Sequence, residues 1–419
     1  MISLKKIKTG NSEAFKTVGI YTFSNFFTKA ISFASLPLFT YLLTEKDFGV
    51  ISIFNASIFF LMPFVSLSIL YSTSTDYFKL NKNQFASFVT TTFFLPIIVA
   101  LITGIIFLIF FKFLENKISF DPLFIWMLPV VVYCNFLIDQ IFTLMRNNNE
   151  PKLYMWLCIL KILIEIGVAV FLIGVLHYGW EGRIFGIFLS FAACAVFSVF
   201  YLKKNGYLSG KIDFSIVKKE VIYSLPVITT QLSFFCFTAS DKYFINYYFG
   251  EERNGIYSLA ATFASIISIF CAALSQYYFP KIYSYLSQNH NGAMIKKMFW
   301  QYCKLILLML LILVGFTMFS YSYLVNQRFI YGLPYFFLLV IGNTIWGVAY
   351  FLYSFIFYHK AKTKTMFISL AGIGISFLFN SILIRKYGEI GAGVASICTY
   401  LLVFLLIFFS TRKLFFGAI

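Results

Sequence analysis

Charge is scarce in this chain. Only 12% of its 419 residues are Asp, Glu, Lys or Arg, about half the share found in an ordinary soluble protein. Acidic residues number 16 and histidines three. A water-soluble fold must cover itself with polar side chains, and a chain that is 60% hydrophobic with a mean hydropathy of +0.84 has too few. That excludes a soluble globular enzyme. The seven cysteines (Cys134, Cys158, Cys194, Cys236, Cys271, Cys303 and Cys398) are widely separated, odd in number, and lie in apolar stretches without a CxxC. They read as small packing residues, neither a disulfide framework nor a metal-ligand set. No polar stretch is long enough for a soluble domain.

What the chain has instead is long apolar runs. A bilayer core about 30 Å thick takes about 20 helical residues to cross, and twelve segments satisfy this: 15–43, 48–74, 85–111, 122–145, 153–176, 183–202, 221–249, 255–280, 298–324, 334–358, 366–384 and 391–410. The expected fold is an all-α integral membrane protein. The apolar run behind the basic N-terminus is too long for a cleaved signal, so it is read as retained. A net charge of +17 would suggest nucleic acid on a soluble protein, but here the cations sit in short loops. With a cytoplasmic N-terminus, Lys5, Lys6, Lys8, Lys79, Lys82, Arg146, Lys152, Lys203, Lys204, Lys296 and Lys297 all fall inside, whereas Lys46, Arg253, Arg328, Arg385 and Lys386 fall outside. That bias predicts both termini in the cytoplasm.

A long-period repeat shows the organisation. Glu45, Gly49 and Ser52 recur 206 residues later as Glu251, Gly255 and Ser258, and Tyr178-Gly179 recurs 209 residues later as Tyr387-Gly388. Two six-helix halves are expected, residues 1–202 and 221–419, joined by a basic linker at 203–220. Because six is even, both halves share one orientation and are related by a pseudo-two-fold axis along the membrane normal, with a central cavity between them.

Three stretches carry a family likeness: Leu36-Pro37-Leu38-Phe39-Thr40-Tyr41 running into Asp47-Phe48-Gly49, Asp241-Lys242-Tyr243-Phe244-Ile245 with Gly255-Ile256-Tyr257-Ser258, and Tyr387-Gly388-Glu389-Ile390-Gly391-Ala392-Gly393. With these the chain resembles the polysaccharide branch of the multidrug/oligosaccharidyl-lipid/polysaccharide exporter superfamily, the O-antigen and capsule repeat-unit flippases. The resemblance implies a fold like that of the multidrug exporters. It also implies transfer of an undecaprenyl-pyrophosphate-linked oligosaccharide from the inner to the outer leaflet of a bacterial cytoplasmic membrane, with polymerase and glycosyltransferases as partners. The alternative is a small-drug exporter of the same fold. A membrane enzyme of polysaccharide assembly ranks lower, because only His177 offers proton-transfer chemistry on the outer side.

Ionisable residues within a span cost at least about 2.5–3.5 kcal/mol at the helix centre and normally face a cavity or a partner. Lys29 lies roughly 21 Å from the outer end of its span at 1.5 Å per residue, too deep to reach water easily, and is expected to face a cavity. Lys161 and Glu165, four apart, share a helical face and are expected to pair. Lys29, Lys161 and Lys242 are candidate ligands for a pyrophosphate. Asn25 and Gln231, 206 apart, are candidate ligands for sugar hydroxyls, with interhelical hydrogen bonding an equal reading. Asp139, Glu165 and Asp241 are candidates either for ion pairing or for coupling to a proton or sodium gradient. Asp241 is also placed to pair with Lys242 or to cap its helix. No other cofactor and no metal is expected.

Overall fold

The structure, a computed structural model, describes residues 10–115, 122–287, 292–359 and 361–416. Lys5, Lys6 and Lys8 lie outside them. Among the described residues there is no strand, as lipid requires, since a helix pairs its backbone groups within itself.

The chain begins with α1 (Gly10–Ala34), α2 (Leu36–Leu42), α3 (Glu45–Ser66) and α4 (Ile69–Lys79). Then come α5 (Lys82–Glu115), α6 (Pro122–Asn147), α7 (Pro151–Gly174) and α8 (Trp180–Lys204). After the linker follow α9 (Phe214–Thr238), α10 (Ser240–Phe249), α11 (Glu251–Ser287), α12 (Gly292–Tyr323), α13 (Leu333–Tyr358), α14 (Lys362–Phe379) and α15 (Arg385–Phe416). Among the described residues nine helical stretches are long and apolar enough to cross a membrane, or ten if α9, bent by 44° near residue 223, is one span. The two last expected spans fall in a single stretch, Thr363–Arg412, broken at Gly388. There φ is +63° and ψ −143°, a backbone open to glycine alone at low cost. α1 is not among the nine, because Thr22, Ser24, Asn25, Thr28, Lys29 and Ser32 dilute its apolar character.

The segment expected as one span over 48–74 is divided. Leu67 (φ 45°) and Ser68 (φ 52°) both take left-handed backbone, at about 1–3 kcal/mol each for non-glycine residues. Beyond that break α4 turns Ser72, Thr73 and Asp76 inward. Asp76 then receives Lys219 at 3.2 Å. The rest of the basic linker is anchored nearby: the Thr90 hydroxyl donates to the Tyr207 carbonyl at 3.3 Å, and the Asp213 N–H donates to Thr91 at 3.0 Å. Asp213 caps α9 by accepting from the Ser215 N–H at 2.8 Å, and its bonds to Ser215 hold the carboxyl below the usual carboxylate range.

Two compact units emerge. The first comprises Met1–Leu43 and Ser57–Ile228, the second Thr44–Ala56 and Thr229–Ile419. The first part of α3, through Ala56, thus belongs to the second unit, where it crosses the start of α11. A Cβ on Gly49 would lie 2.0 Å from the Glu251 carbonyl oxygen, and a Cβ on Gly255 would lie 1.8 Å from that of Glu45. Only glycine lets the two backbones touch in this way. The Asn254 amide seals the crossing by donating to the Gly49 carbonyl at 3.2 Å and to Ser52 at 2.9 Å. Thr44 and Asp47 form a capping box at the start of α3, with the Thr44 N–H donating to Asp47 at 2.8 Å. The Glu, Gly and Ser of the repeat are therefore the contact residues of one helix crossing.

Candidate functional site

In the first unit, polar side chains gather on α1, α6, α7 and α8. The hydroxyls of α1 are turned back on their own helix: Ser24 donates to the Ile20 carbonyl, Thr28 to that of Ser24, and Ser32 to that of Thr28, at 2.7, 3.1 and 3.0 Å. Asn25 and Lys29, one turn apart, are exposed. Among the described residues no carboxylate lies within ion-pair distance of Lys29. The Asn25 side-chain carbonyl accepts from the Tyr154 hydroxyl of α7 at 2.9 Å. Tyr154 is held in turn by the ring of Tyr21, edge-on at 5.0 Å, and that of Phe142 at 4.5 Å. The Tyr21 hydroxyl donates to the Met145 carbonyl at 3.1 Å.

The expected pair between Lys161 and Glu165 does not form. Glu165 instead accepts from the Arg183 guanidinium of α8 at 2.8 Å, and Arg183 also stacks 4.8 Å from the Phe39 ring centroid. The planar fork of Arg suits both contacts at once, which a lysine ammonium does not. Lys161 lies over the Phe191 ring at 4.0 Å, a cation–π contact. Asp139, half-buried on α6, feels the charges of Lys161 and Arg146. Its main-chain carbonyl accepts from Thr143 at 2.9 Å.

In the second unit Asp241 is buried. One of its oxygens accepts from the Tyr257 hydroxyl, and the other from the backbone N–H of Lys242 at 2.9 Å. Among the described residues no ion pair joins the Lys242 ammonium to Asp241; the aspartate is instead partnered at the start of α10. Gln231 and the Lys242 side chain are half-buried. Nearby, Asn380 donates to Ser240 at 3.1 Å, and Tyr400 donates to the Phe237 carbonyl at 2.9 Å.

Three residues at this site escape a reading of the sequence. Tyr154 is one of 28 tyrosines and carries no motif. Arg146 looks like one more interfacial cation. Arg183 stands at the border of its span, and only the packing of α8 on α7 carries it to Glu165.

The family model for polysaccharide biosynthesis proteins matches residues 14–286. The chain belongs to that family. A protein of the Lsg locus of Haemophilus influenzae is 25% identical over 285 residues, covering 66% of this chain and 68% of its own length. Among solved structures, this family member is similar to an inward-facing multidrug-resistance MATE transporter of the MOP superfamily, with a TM-score of 0.71, 14% identity, and coverage of 92% of this chain and 95% of that one. It is equally similar to the lipid II flippase MurJ in an inward closed conformation, with a TM-score of 0.70, 15% identity, and coverage of 95% and 89%. At these identities the likeness shows the fold, which is that of the MATE-like exporters, and fold does not by itself name a substrate. The polysaccharide family member is thus a multi-pass membrane protein of that fold.

Proposed function

We propose that this chain is a flippase that carries an undecaprenyl-pyrophosphate-linked oligosaccharide from the inner to the outer leaflet of the bacterial cytoplasmic membrane. It works by alternating access of two six-helix lobes, with both termini cytoplasmic. The family supplies the pathway, and the observation that carries the mechanism is Lys29. With α1 and α2 read together as the span expected over 15–43, Lys29 is a mid-span ammonium that is costly against acyl chains, so its side of α1 is read as a hydrated path. An anion crossing hydrocarbon needs such a charge, because an unpaired phosphate in a low dielectric is prohibitive.

Of the three acidic candidates, Glu165 is taken by Arg183 and Asp241 by Tyr257. Asp139 is left as the carboxylate we assign to coupling with a proton or sodium gradient. No enzymatic step is assigned to the chain.

Deleting the gene should leave lipid-linked repeat units on the inner leaflet and strip the surface glycan. Lys29→Ala should do the same at normal protein abundance, as judged by glycan staining beside an immunoblot. Unchanged surface glycan in the deletion strain would refute the reading. Resistance to cationic dyes that is lost on deletion, with glycan intact, would favour small-drug export on the same fold.

A further inference from the structure

We infer that Tyr154 is a positioning residue that orients the Asn25 amide so that its N–H groups act together with the Lys29 ammonium, forming a site for an anionic group of the diphosphate or carboxylate class. This rests on the reading of α1 as the substrate path. A free asparagine offers a sugar both a carbonyl acceptor and an NH2 donor. Here the carbonyl accepts from the Tyr154 hydroxyl at 2.9 Å, which turns the two N–H groups of the amide away from α7. Tyr154 does not swing away, since it is 3% exposed and clamped between the Tyr21 and Phe142 rings. Lys29, one turn along, adds three donors and a charge and accepts nothing. A neutral sugar hydroxyl carries no charge for the Lys29 ammonium to meet. A phosphate or carboxylate oxygen only accepts, and its charge strengthens each bond.

The test uses the purified full chain in nanodiscs, with farnesyl diphosphate, free glucuronate and neutral farnesol as probes. The wild-type chain should bind farnesyl diphosphate more tightly than farnesol. Tyr154→Phe should weaken farnesyl diphosphate about fivefold, the worth of one hydrogen bond, and leave farnesol unchanged. Asn25→Ala should lose a similar factor, and the double variant should lose no more than either single, because both act through one amide. Glucuronate binding with the same dependence on Tyr154 would place an acidic sugar on this face, whereas diphosphate alone would place the lipid linker there. Wild-type affinity for both anions in Tyr154→Phe would overturn the inference, as would an equal loss of farnesol, which marks mere destabilisation. Wild-type affinity in Lys29→Ala would instead overturn the reading of α1 on which it rests.

Discussion

The first helix of each repeat is built alike and used differently. α1 runs into α2 through Ser35, whose backbone stays right-handed helical, and α9 breaks at Ala239 before α10. Each pair is followed by a helix that starts on a glutamate, Glu45 or Glu251. At the 206-residue offset, however, exposed Lys29 corresponds to Phe235, which is 7% exposed, and exposed Asn25 corresponds to half-buried Gln231. The carboxylate of the second copy, Asp241, is sealed by a tyrosine hydroxyl rather than left open. At that offset the glycines that let backbones meet recur, whereas Asn25 and Lys29 do not. Backbone contact at Gly49 and Gly255 tolerates no substitute, whereas a polar face can be filled with phenylalanine at no cost to the crossing.

The comparison can be pushed from its most damaging test to its mildest. Phe235→Lys places in the second unit the cation that α1 carries. Because that site is buried and no carboxylate is arranged for it, the variant should lose several kcal/mol and fail to accumulate. Normal yield with a second anion site would mean that the two copies remain interchangeable. Next, the double exchange Lys161→Glu with Glu165→Lys should preserve yield if these two residues pair only with each other. With Glu165 bound to Arg183, it brings an ammonium against a guanidinium. Since each partner keeps 17% exposure, the loss expected is about 2–3 kcal/mol, below that of a fully buried pair, and is read as a lower melting temperature in detergent. Adding Arg183→Glu should recover most of it. The smallest effect is expected from Tyr257→Phe, which leaves a buried carboxylate oxygen short of its donor at about 1–3 kcal/mol. Its melting temperature should fall while anion binding on α1 stays unchanged, separating the structural carboxylate of one copy from the open face of the other.

Much of the architecture was legible because lipid imposes strict rules. Twenty apolar residues in a row have few stable fates, so helices were expected where helices stand, even though Leu67–Ser68 splits one segment; Gly388 parts the last two expected spans. Lys29 is exposed on α1, and the cavity it is expected to face belongs to the proposed function. The pairing of Glu165 was not legible. A four-residue spacing on α7 offers Lys161, but a helix says nothing about what its neighbour presents, and α8 presents the better partner in Arg183. Tyr154 was invisible for the same reason: a tyrosine becomes a positioning residue only when another helix brings an amide to its hydroxyl.

Composition and apolar run length determined by themselves that this chain is a helical membrane protein. Hydrophobic transfer and backbone hydrogen bonding act on every segment alone, so they can be read from one strand of text. Which glycine meets which carbonyl, which cation takes Glu165, and that Asn25 is turned to donate were decided only in three dimensions. Those contacts join residues from different helices, and their energies depend on distances of a few ångströms that no spacing along the chain encodes.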